Sequence, residues 1–184
     1  IVAHALVLAL VPQGLRVTLQ STDTPTSSGD VRTFALNQHS VALLQRLGVW
    51  LRLPANARTA IHDMCVQGDS RRQTLNFSAW QQRESELGWI VDAAALERVL
   101  AQAVERLLKD AASGLVRASH DEGPVAAALL AVAEGSASPT RQALGVAWLH
   151  QPYGQHAVAA RLEADTAHQH TARQWFLAPD ILAL

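Results

Sequence analysis

The sequence has a single cysteine, Cys65, so it closes no intramolecular disulfide and builds no cysteine-based zinc site. A reducing, cytoplasmic setting fits that count. It also lacks an excess of either charge: the net value is −1, which leaves no electrostatic footprint for nucleic acid or acidic lipid. No glycine occurs before Gly14, and no apolar run is long enough to span a bilayer. The apolar opening, Ile1 to Val11, has no basic n-region, no Met start and no clear cleavage site, so it reads as a buried strand or helix piece rather than a signal peptide. The missing Met and an ending at Leu184 inside an apolar run point to an incomplete chain. Internal repeats, heptads and low-complexity tails are absent.

What is present is a globular composition. Hydrophobic residues make up 49% and charged residues 17% of 184, enough for one ordinary domain with a real core and too apolar for disorder. Leu15 to Leu19 has the β-branched character of a short buried strand. Ser21 to Gly29 is a Ser/Thr/Pro/Gly-rich loop. Ser40 is placed to cap a helix bearing Leu43, Leu44 and Leu47, with Gly48 as its stop. Ile61 to Gln67 and Thr74 to Trp80 read as a hairpin turning at Gly68-Asp69-Ser70-Arg71, with Leu75, Phe77 and Ala79 on one face. Behind Asp92, a sound N-cap, Leu96, Val99, Leu100, Ala103, Val104, Leu107 and Leu108 keep helical spacing. Ala126 to Ala133 is continuous enough for a fully buried strand. His156 to Glu163 alternates, and Arg173 to Leu177 is a last short strand. The mixture predicts an α/β or α+β fold.

Local chemistry excludes several functions. His150, His156, His168 and His170 lack metal-ligand spacing, as does His62 with Cys65, so solvated loop histidines are expected and no metal. Cys65 falls in an apparent strand, where a small buried hydrophobe is expected rather than a nucleophile. Gly135-Ser136-Ala137-Ser138 is no serine-hydrolase elbow. The five tryptophans are scattered without basic interleaving, unlike a single-strand nucleic-acid groove.

Three ordered stretches carry a resemblance. Asp30-Val31-Arg32-Thr33-Phe34-Ala35-Leu36-Asn37 runs through Ser40, Leu43-Leu44 and Leu47-Gly48-Val49-Trp50. Leu87-Gly88-Trp89-Ile90-Val91-Asp92 with Leu96 opens the long helix. Tyr153-Gly154-Gln155-His156-Ala157-Val158-Ala159-Ala160 is followed by His168, Ala172, Gln174, Phe176, Pro179 and Leu182-Ala183-Leu184. In this order they resemble the ubiquinone-biosynthesis hydroxylases, FAD-dependent aromatic monooxygenases of the p-hydroxybenzoate hydroxylase group.

That resemblance implies a partial FAD/NAD(P)-binding, Rossmann-like domain over residues 1–60 and 92–145. It implies an inserted antiparallel-sheet substrate domain over 61–91 and 146–184, with the C-terminal part of the family fold absent. It implies FAD as cofactor and NAD(P)H as co-substrate, with oxygen inserted into an activated ring, the flavin doing the hard chemistry while protein binds, orients and excludes water. The implied substrate is a polyprenyl phenol, and with it peripheral association at the inner membrane; a homo-oligomer and a biosynthetic complex both stay open. Arg32 matches the arginine that reaches the dinucleotide portion. Glu134-Gly135-Ser136-Ala137-Ser138-Pro139-Thr140-Arg141 resembles the family's D-G-x-x-S-x-x-R loop at the flavin diphosphate. Its expected cofactor contacts are therefore Glu134, Gly135, Ser138 and Arg141. Asp92 sits where the family has a polar residue near the flavin, and an N-cap explains it equally well.

Departures from the family are specific. Ile1-Val2-Ala3-His4-Ala5-Leu6-Val7-Leu8 stands where a glycine-rich G-x-G-x-x-G turn should admit the pyrophosphate, and residues missing after Ala3 would account for that. Gln20 replaces the acid that should hold the ribose, Glu134 replaces Asp, and the late G-D-A-A-H motif is absent. Gln20, Glu134 and the missing glycines favour a second reading, a flavin-free, non-catalytic partner in a quinone-biosynthesis assembly, while Arg32 and the Gly135, Ser138 and Arg141 loop argue against it. No side chain is identified as a catalytic base.

Overall fold

The computed structural model describes residues 1–21, 30–70, 72–119 and 125–184. Among the described residues it is a mixed α/β protein with three sheets. The chain forms two compact units, one from Ile1–Ser27 and Leu100–Ala159, the other from Ser28–Val99 and Ala160–Leu184. Residues 28–60 lie in the second unit, with the two larger sheets.

In the first unit the apolar opening is a helix, α1 (Val2–Leu10), which buries Val7 and Leu8. Pro12 cannot continue an α-helix, and the chain tightens into a 3-10 turn before Gly14, whose φ of 78° turns it toward the first strand. That strand, β1 (Val17–Ser21), pairs in parallel with β7 (Leu115–Ser119), Val17 opposite Leu115. Leu19, Leu115 and Ala118 are buried. The Ser21 to Gly29 loop lies largely outside the described residues.

The second unit is built on β6 (Gly88–Asp92), which pairs antiparallel with β2 (Thr33–Leu36) on one edge and β3 (Arg58–Ile61) on the other. Gly88 is required there: a Cβ on it would lie 2.8 Å from the Leu36 carbonyl oxygen. Helix α2 (Gln38–Arg46) starts earlier than its sequence suggests. Asn37, not Ser40, is the cap, because the extended Asn37 backbone lets its side chain accept from the Ser40 amide at 2.9 Å. Gly48, at φ 67°, does end that helix region, its amide donating to the Gln45 carbonyl.

The expected strand Ile61 to Gln67 is two strands in two sheets. The chain breaks at His62, whose amide donates to His170 and whose carbonyl accepts from Ala79, and β4 (Asp63–Gln67) begins after it. As expected, β4 forms a hairpin with β5 (Thr74–Ser78). The second strand stops at Ser78, where the chain turns into the single-turn helix α3 (Ala79–Gln82). Leu75 and Phe77 remain exposed, so the expected half-buried face is not covered. The last expected strand is β8 (Thr171–Leu177), which pairs in parallel with β4 and antiparallel with β9 (Asp180–Ala183). The sheet is thus β5-β4-β8-β9, mixed rather than antiparallel throughout.

Helix α4 (Ala93–Lys109) is the longest element, and its periodic face is buried at Leu96, Val99, Leu100 and Val104. Two sequence expectations fail. Ala126 to Ala133 is irregular, with Leu129 84% exposed, and His156 to Glu163 is irregular, with Val158 93% exposed. An apolar or alternating run becomes a strand only when a neighbour completes its hydrogen-bond ladder, and among the described residues neither run has such a neighbour. Among the described residues, no helix is long and apolar enough to cross a membrane.

Candidate cofactor site

The six residues expected at a cofactor fall into two groups, one in each unit. Arg32 and Asp92 form the first. Arg32 precedes β2 and Asp92 ends β6, and the register that pairs Thr33 with Asp92 makes them neighbours; the Ala93 amide donates to the Arg32 carbonyl at 3.1 Å. Asp92 caps α4, one carboxylate oxygen accepting from the Ala95 amide at 2.6 Å. Its other oxygen accepts from Arg161, a residue that no sequence pattern singled out. The Arg161 guanidinium is the main cause that holds the Asp92 carboxyl below its ordinary range, the Ala95 bond adding to it and partial burial opposing.

Asp30 completes this cluster. Its Oδ1 accepts from the Arg32 amide at 3.0 Å and from Nε at 2.9 Å, and its Oδ2 accepts from Nη2 at 2.8 Å. The aspartate side chain is only 8% exposed while that of Arg32 is 71% exposed. These bonds to Arg32 bring the Asp30 carboxyl down to about 2, with a smaller contribution from the charge of Arg161. The same pairing raises Arg32 above the ordinary arginine value, and Glu97 adds a lesser attraction.

Glu134, Gly135, Ser138 and Arg141 form the second group, in one loop entering the short helix α5 (Pro139–Ala143). Gly135 sits at φ 81°, a left-handed conformation that suits glycine, with open space where a Cβ would be. Ser138, 1% exposed, donates to Glu134 at 2.5 Å and accepts from the Arg141 amide at 3.0 Å. Thr140, which sequence reasoning passed over, adds its hydroxyl at 2.5 Å and its amide at 3.1 Å to the same carboxylate. Arg141 donates to the Ser136 carbonyl at 2.9 Å and lies 4.5 Å over the Trp148 ring. Its buried Nε has no hydrogen-bond partner among the described residues.

Gln20, at the position of the ribose acid, donates to the Ser119 carbonyl at 3.2 Å and so spans β1 and β7. Donor chemistry fits a dinucleotide phosphate at Arg32, an exposed guanidinium, and at the orphaned Nε of Arg141. In the Glu134 loop the Ser138 and Thr140 donors are spent on the loop's own carboxylate. Among the described residues, no group of three or more His, Cys, Asp or Glu is placed to hold a metal ion. His62 and His170 instead stack, ring centroids 4.6 Å apart, and His170 contacts the Ala60 carbonyl through Nδ1.

No family model matches the chain. The chain is 27% identical over 164 residues to the ubiquinone hydroxylase UbiM of Neisseria meningitidis serogroup C, an alignment that covers 80% of this chain and 36% of that protein. The chain therefore spans about a third of the length of the curated relative it matches. The crystal structure of p-nitrophenol 4-monooxygenase PnpA from Pseudomonas putida gives a TM-score of 0.45 at 12% identity, over 63% of this chain and 28% of that one.

Proposed function

We propose that this chain, a relative of the ubiquinone-biosynthesis hydroxylases, is part of an FAD-dependent monooxygenase that hydroxylates an aromatic ring in ubiquinone biosynthesis, using NAD(P)H and oxygen. The observation that carries the reading is the placement of Arg32 beside Asp92 by the β2–β6 register, at the mouth of α4. The similarity to a ubiquinone hydroxylase over most of the chain supports it. A polyprenyl phenol is the substrate class this reading assigns, with peripheral membrane association following from the solubility of such a substrate.

Bound flavin would supply the redox chemistry, and the residues here would hold it. Arg32 presents planar guanidinium donors to a phosphate oxygen. Asp92 keeps α4 capped and the adjoining backbone fixed, so a ligand meets a preformed edge. In the other unit Arg141, packed against Trp148, carries an unpaired Nε and is a separate candidate contact for an anion.

A second reading, the flavin-free partner, draws on Glu134, whose carboxylate satisfies its own loop, and on Gln20, whose amide closes on the sheet. The visible spectrum of the purified intact protein decides between them, with FAD added if it is colourless. The monooxygenase reading expects a flavin spectrum that bleaches with NADH or NADPH. A colourless protein that leaves added FAD free overturns it and makes the partner reading the better account.

A further inference from the structure

We infer that Asp30 is a positioning residue for Arg32: it grips the guanidinium from its protein side and leaves the outer edge free for a phosphate. The inference rests on the proposed dinucleotide contact of Arg32 and adds a residue to it. A guanidinium has five N–H donors arranged in a planar fork, with a side edge formed by Nε and one terminal nitrogen and an end edge formed by the two terminal nitrogens. Asp30 occupies the side edge, at 2.9 Å from Nε and 2.8 Å from Nη2. Nη1 has no hydrogen bond among the described residues, so the end edge stays open. Exposure divides the pair the same way: the aspartate side chain is 8% exposed and the arginine 71%.

This division matters because an unrestrained arginine loses several rotors on binding an anion. Here the backbone amide of Arg32 bonds to the same carboxylate as its own side chain, which closes a tight local ring and fixes the fork before any ligand arrives. The bonds from Arg32 itself are the main cause that keeps Asp30 ionised, and the charge of Arg161 adds a smaller contribution. A carboxylate behind an arginine repels an incoming phosphate at longer range, so two effects oppose each other. Preorganisation wins when the fork is held at both Nε and Nη2, because the anion then meets donors already aligned.

A double-mutant cycle on the intact protein tests this, read as FAD affinity by flavin fluorescence quenching, with inorganic pyrophosphate as competitor. Asp30→Ala is expected to weaken FAD binding by about five- to tenfold, and to weaken it less than about twofold in an Arg32→Ala background. Equal losses in both backgrounds would mean that Asp30 acts on the fold at large, and would overturn the inference. Unchanged or tighter binding by Asp30→Ala would overturn it as well, marking the carboxylate as a bystander or a competitor. Should Asp30→Ala fail to fold, Asp30→Asn carries the test: it keeps an acceptor and loses the charge, and an intermediate loss is expected, with no loss overturning the idea. Wild-type protein that ignores FAD would remove the functional reading itself, and this inference with it.

Discussion

Glu134 accepts a 2.5 Å hydrogen bond from Ser138 while the same serine oxygen accepts from the Arg141 amide at 3.0 Å, so one buried hydroxyl ties a carboxylate to a helix start. With the two bonds from Thr140, the loop closes on its own acid.

The first prediction follows from that closure. Glu134→Ala leaves Ser138 and Thr140 without their acceptor, at a cost of about 1–3 kcal/mol confined to this loop. Amide exchange at Thr140 and Arg141 is expected to speed up by about tenfold or more, with the β-strands unaffected. Native-state hydrogen exchange measures it, and unchanged protection at both amides would refute the closure. Glu134→Asp is expected to fall between the two, keeping one hydroxyl bond at most.

Asp92 gives a second prediction. Its bond to the Ala95 amide caps α4, and caps of this type contribute about 1 kcal/mol. Asp92→Ala is therefore expected to lower the urea midpoint by that equivalent, with Asp92→Asn losing less because asparagine also caps. The same loss in both variants would put the weight on the ion pair with Arg161 rather than on the cap.

Acid dependence supplies the third. Asp30 has a folded value of about 2 against an ordinary 3.8. A depressed carboxylate stabilises the fold above its unfolded value and loses that contribution as pH falls through the folded one. The thermal midpoint of wild type should therefore exceed that of Asp30→Asn at pH 7, and the gap should close between about pH 4 and pH 2. A gap that stays constant across this range would show that Asp30 is not held ionised by Arg32.

Gly88 supplies the fourth. Because its missing Cβ would press on the Leu36 carbonyl, a backbone atom with no rotamer to escape through, Gly88→Ala must part β2 from β6. A destabilisation of about 1–3 kcal/mol in urea unfolding is expected. Wild-type stability in this variant would mean the two strands are farther apart than described.

How much of this was legible in the sequence depended on whether the signal was local. Helical spacing from Leu96 to Val104 and the cap at Asp92 needed only neighbouring residues, and both appear as expected. The β4–β5 hairpin was also readable, since its turn lies between its strands. The break at His62 was not, because it depends on bonds to His170 and Ala79, and the second sheet that captures Ile61 leaves no mark on the alternation. The Ala126 to Ala133 run shows the reverse: its composition asks for burial, and composition does not supply a neighbouring strand. At the candidate site, Arg32 was found through its motif. Arg161 and Thr140 were not, since a lone arginine in an irregular segment and a threonine behind Pro139 carry no periodic signal. The roles of the six expected residues belong to the proposed function, while their positions are fixed by β2, β6, the loop before α5 and α5 itself.

The parallel pairing of β4 with β8 sets the order in which this chain can mature. Val66 lies beside Gln174, so the inner edge of β4 has no partner until the ribosome has made β8. During that interval the hairpin can be complete on one side only, with Leu75 and Phe77 on a strand that stays exposed even in the finished sheet. Long-range strand pairs close slowly, and an open edge beside apolar side chains is a template for pairing with other chains. Until Thr171–Leu177 arrives, β4 thus presents an open edge on which other chains can pair.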